Sequence, residues 1–88
     1  MTDATDELLA ERGKTHGDWK VNAAAQNEIR NAIQKWDVNG LEPWKIEALH
    51  MIATKIGRII TGNSNHRDHW DDIAGYARLA AERCGEST

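Results

Sequence analysis

The chain has 88 residues, a net charge of −3, about 40% hydrophobic residues and 28% charged ones. This balance excludes a disordered tail, and without a lysine- or arginine-rich run nucleic acid is not the expected partner. One domain spanning 1–88 is expected, close to the size at which a single core is marginal, so a homodimer is also expected.

The first element in chain order is a short helix over about Asp3 to Arg12, ending at Gly13. A loop follows, Lys14-Thr15-His16-Gly17. The stretch Gly13-Lys14-Thr15 looks like the end of a phosphate-binding loop. That motif needs a glycine five residues earlier and a preceding strand; Leu8 stands there instead, after a helix. The match is accidental, and the stretch reads as a helix stop, a turn and an N-cap.

The second helix runs from Asp18, a good N-cap, to Trp36 or Asp37. Val21, Ala25, Ile29, Ala32, Ile33 and Trp36 share one face. Asn39-Gly40 marks a turn. Pro43 suits the start of the third helix, which extends to about Ile60 before Gly62-Asn63. Leu49, Ile52, Ile56 and Ile60 belong to its apolar side. The fourth helix spans about Arg67 to Cys84, with Trp70, Ile73 and a row of alanines on one side. No window alternates as a strand does. The class is all-α, an antiparallel bundle of about four helices.

No long apolar run is present and no basic-then-apolar start, so neither a membrane span nor a signal peptide is expected. The single cysteine, Cys84, suits the cytoplasm.

Chemistry concentrates on the last two helices. Glu47, His50, Thr54 and Arg58 share an arc of about 80° on the third. A solvated face explains them as well as a cleft or a subunit interface does. On the fourth, His69, Asp72 and Tyr76 lie within about 60° of one another. Asp68 and Asp71 have a simpler account as residues that offset the helix dipole. Glu47-x-x-His50 and His69-x-x-Asp72 are two i,i+3 pairs on successive antiparallel helices. Such pairs can converge on a divalent cation, Mg²⁺ or Mn²⁺ by their carboxylates and Mn²⁺ or Zn²⁺ by their imidazoles. Lys55 and Arg58 lie on or near that face and suit phosphate. Asp68 and Tyr76 are additional candidates.

The pieces "HGDW", "EALHMIATKIGRIITGN" and "HWDDIAGYARLAAE" resemble a small domain family of phages and prophages. More loosely, the last two helices resemble the nucleotide-modification-associated domains and the MazG-like all-α nucleotide pyrophosphohydrolases. The MazG-like resemblance implies Glu-x-x-Glu on one helix and Glu-x-x-Asp on a later one, holding Mg²⁺ and a nucleotide triphosphate. Glu47 and Asp72 match two of those carboxylates; His50 and His69 stand where the other two would be. The implied function is metal-dependent hydrolysis of a nucleoside triphosphate to a monophosphate and pyrophosphate. The alternative is a non-catalytic nucleotide- or protein-binding module on the same scaffold. Both imply a homodimer with its site near the subunit contact.

Overall fold

The computed structural model describes residues 4–85. They form four helices: α1 (Ala4–His16), α2 (Trp19–Lys35), α3 (Pro43–Thr61) and α4 (Arg67–Arg83). Among the described residues there is no strand.

Local chemistry sets most of the boundaries. The Val21 N–H donates to Asp18 Oδ1 at 3.1 Å, so Asp18 caps α2 as its position suggests. Pro43 occupies the first turn of α3, and Gly62 caps its end, donating to the Arg58 carbonyl. In the α2–α3 turn the Asp37 carboxylate accepts from the Leu41 N–H, and Gly40 takes a φ of 68°. The expected end of α1 is corrected. Helix α1 runs through Gly13, which meets no neighbour, and stops before Gly17, whose φ is 79°. A left-handed residue stops a helix; a glycine inside one only weakens it.

Helix α3 is the centre. It packs against α2 on one flank and α4 on the other, both antiparallel to it, while α1 touches α2 and α3 near its own end. Among the described residues, α2 and α4 do not touch. The three long helices therefore make one open layer. The molecule measures 56 × 25 × 22 Å, with a radius of gyration of 15.4 Å. A compact chain of this length would have about 12 Å.

The layer's interior is thin and partly polar. The buried apolar residues are Ala53 and Ile59; the buried polar ones are Asn22, Thr54 and His69. Helix α2 approaches α3 at Gly57, where a Cβ would stand 2.5 Å from Gln26 Cγ and 3.0 Å from Asn22 Oδ1. Asn22 donates to the His16 carbonyl at 3.2 Å and accepts from Gln26 at 2.6 Å. One turn along, Arg30 donates to the Thr54 hydroxyl, which donates to the His50 carbonyl at 3.1 Å. The α2 side turned to α3 is thus Asn22, Gln26 and Arg30, and the apolar stripe expected to be core lies beside the contact. Val21, Ala32 and Trp36 of that stripe are exposed; Ala25, Ile29 and Ile33 are half-buried.

Candidate functional site

The α1–α2 corner sits against the end of α3 because two glycines let the backbones meet. A Cβ on Gly62 would lie 2.6 Å from the Gly17 nitrogen, and one on Gly17 would collide with the Thr61 carbonyl. At this corner the Thr15 carbonyl accepts from the Asn63 N–H at 3.1 Å and lies 3.1 Å from His69 Nε2. His69 is 2% exposed, so its Nε2–H tautomer is the one that satisfies both groups. Its ring centroid is 5.0 Å from that of His16 and 4.6 Å from that of His66.

Around this imidazole stack the charge is mostly positive. Burial first, and then the neighbouring charges of Arg58, His69, Lys55 and Arg12, hold His16 down to a pKa of about 4. A nearby carboxylate, Asp72, is taken by Lys55 at 2.9 Å, where the lysine side chain is only 12% exposed. The hydrogen bond from Lys55 keeps the Asp72 carboxyl below the usual carboxylate range, against a smaller effect of burial.

A cleft of about 670 Å³ opens beside this cluster, between α1, α2 and α3. Arg12 and Arg58 supply its cations, His16 a neutral imidazole, Asn22 and Gln26 its amides, and Trp19 an indole at the edge. Asp18 is the carboxylate that lines it. Arg58 Nε is buried with no hydrogen-bond partner.

The residues singled out from the sequence divide into two groups. Lys55 meets Asp72 at the α3–α4 contact, with Arg58 and His69 near enough to act on the Asp72 carboxyl. Glu47 does not join them: it is exposed, in a groove with Tyr76, Leu79 and Ala80. The helices' register is the reason. Lys55 pairs with Asp72, and eight residues back along α3 leave Glu47 about 12 Å away along the axis. His50 is half-buried on the α2 side, its Nε2 without a partner. Glu47, His50, His69 and Asp72, expected to converge on one cation, are thus not brought together here. Among the described residues no three His, Cys, Asp or Glu side chains gather as a metal-holding group. Asp68 is exposed, 3.7 Å from His66 Nε2, and Tyr76 is half-buried. Lys55, expected to meet phosphate, meets Asp72 instead.

His16 and Arg12 were not among the sequence candidates for this site. Each is a lone residue on a short helix, and only the glycine-glycine contact brings them to α3. None of the helices among the described residues is long and apolar enough to cross a membrane.

No curated protein and no solved structure matches the chain. The sequence profile of a domain of unknown function, DUF6378, matches residues 1–84, and the chain belongs to that family.

Proposed function

We propose that this protein binds a nucleotide or a similar phosphorylated small molecule in the cleft between α1, α2 and α3, and that it works as a homodimer. The observation that carries the ligand reading is Arg58. It lines the cleft beside His16 and Arg12, and its Nε is buried without a partner among the described residues. A guanidinium at the cleft wall whose donors are not all used within the chain suits a charge-assisted hydrogen bond to a phosphate oxygen. The low pKa of His16 is due first to burial, but Arg58 and Lys55 also lower it, a positive field that an anion would neutralise. The cleft's volume of about 670 Å³ suits a nucleotide, and Trp19 at its edge offers a stacking surface for a base.

Binding without turnover has more support than the hydrolysis implied by the MazG-like resemblance. Metal-dependent attack on phosphorus needs several carboxylates around one cation. Here Lys55 holds Asp72, and Glu47 stands two turns away. The test is a thermal-shift and calorimetry panel of nucleoside mono-, di- and triphosphates, with and without Mg²⁺ and Mn²⁺, run beside a pyrophosphate-release assay. Stabilisation without metal and without release is the expected result. Metal-dependent release would restore the hydrolase reading, and no stabilisation by any phosphate would end both.

A further inference from the structure

The two faces of the α2–α3–α4 layer differ in kind. At about 100° per residue, with both flanking helices antiparallel to α3, the polar side chains of the site share one face. The opposite face is largely apolar on all three helices, with exposed Glu28 and Lys35 at its α2 edge. From α2 it takes Val21 (56% exposed) and Trp36 (69%), from α3 Leu49 (37%) and Ile60 (64%), and from α4 Trp70 (53%). Ala74, Ala77 and Ala81 continue it along α4, all exposed. Between Leu49 and Ile60 the α3 part carries no charged side chain, since Lys55 and Arg58 turn the other way, toward Asp72 and the cleft. A single layer cannot bury a hydrophobic face; stable domains have at least two.

We infer that a second copy of this chain covers this face, layer against layer, so that α2, α3 and α4 of each copy form a two-layered six-helix core. The surface belongs to the homodimer proposed above, and it leaves the cation-lined cleft on the outside of each copy. Area supports a second copy as the occupant. The chain exposes 6526 Å². A compact monomer of 9.9 kDa would expose about 5,200 Å². The excess, about 1,300 Å², is spread over the whole chain, exposed α1 included, and leaves room for the roughly 800 Å² per partner that a stable interface covers. The face is also self-complementary in charge, because its central residues carry none. With a net charge of −3 and only Lys35 shown against one of its large apolar residues, Trp36, the chain is poorly suited to an anionic membrane.

Light scattering on the full chain tests this, with Ile60→Glu and Trp36→Glu on the face and Leu79→Glu, also exposed, off it. The expected result is a wild-type particle of twice 9.9 kDa, with the dissociation constant raised at least about tenfold by the first two substitutions and unchanged by the third. A wild-type monomer of 9.9 kDa, whether or not it sediments with lipid vesicles, overturns both the dimer and this surface. A dimer that tolerates both face substitutions overturns the surface and leaves the dimer standing. Because a charged face variant can unfold, the otherwise native chain gives a second reading. With Trp19 and Trp44 replaced by Phe, emission from Trp36 and Trp70 should shift to the red as the sample is diluted through dissociation. A fall in mass with no shift overturns the surface. Neither readout involves phosphate, so failure of the ligand reading leaves it untouched.

Discussion

Gly17 and Gly62 lie backbone to backbone: a Cβ on Gly62 would come within 2.6 Å of the Gly17 nitrogen and within 2.7 Å of the Thr15 carbonyl oxygen. The corner between α1 and α2 closes on the end of α3 only because both side chains are absent. Gly62→Ala should therefore destabilise the protein by about 1–3 kcal/mol, since main chain cannot yield as a flexible side chain can. Gly13→Ala should act in the opposite sense. Gly13 is inside α1 with nothing within 4 Å, so alanine should stabilise by up to about 1 kcal/mol. Urea denaturation of the two variants, at one protein concentration, checks both signs.

Arg58→Met keeps an aliphatic stem of similar length and removes the unpartnered donor. Folding stability should hold or rise slightly, because a buried N–H without an acceptor is lost. Affinity for inorganic pyrophosphate or a nucleotide should fall by about ten- to a hundredfold, the range expected for charge-assisted hydrogen bonds worth roughly 1.5–3 kcal/mol. Calorimetry on the variant reads the second effect and a melting curve the first.

The helix spans were legible in the sequence because their ends carry local chemistry. Asp18, Pro43 and Gly62 each act on the backbone within a few residues of themselves. What covers a helix was not legible in the same way. The stripe from Val21 to Trp36 is apolar at helical spacing, yet α3 meets Asn22 and Gln26 instead, because Gly57 leaves room for amides. The candidate site shows the same division. Lys55, Arg58, His69 and Asp72 were readable as a polar cluster on two helices. Their pairing depends on how far α4 slides along α3, and nothing local reports that slide. With a slide of two turns, Glu47 would have joined them. His16 was out of reach for another reason, since its neighbours are supplied by an inter-helix corner far along the chain.

His16 should make the protein sensitive to acid. Its pKa is lowered from 6.5 in the unfolded chain to about 4 in the folded one. The unfolded state therefore binds more protons between those values, and stability falls as pH drops from about 6.5 toward 4. Asp72 adds a loss in the same direction at lower pH. Its carboxyl is depressed by Lys55, so its contribution is present above the unfolded value of 3.8 and disappears as pH falls through the folded one. His16→Gln should flatten the upper part of the profile and leave the lower part. A bound phosphate would reverse the effect at His16: the anion raises the folded pKa, so binding takes up a proton. Calorimetry in buffers of different ionisation enthalpy would detect that uptake.

The Lys55–Asp72 pair should respond unequally to removal of its two halves. Lys55 is 12% exposed and Asp72 is 47% exposed. Loss of Lys55 leaves a carboxylate that water can reach, while loss of Asp72 leaves an ammonium largely shielded from it, beside Arg58 and His16. Asp72→Asn should accordingly lower the melting temperature more than Lys55→Met. Equal effects would mean that the lysine moves out to solvent when its partner is lost.

Among the described residues α2 and α4 do not touch, and this bears on how the chain reaches its structure. Apart from the contact of α1 with α3, the helices pack against their neighbours in sequence, so the contacts needed for the α2–α3 and α3–α4 hairpins join segments separated by short turns. Loop closure is then inexpensive in entropy and the topology is local, the arrangement associated with fast folding. Either hairpin can form before the other, with α3 as the common template, and no ordered sequence of events is imposed by the connectivity.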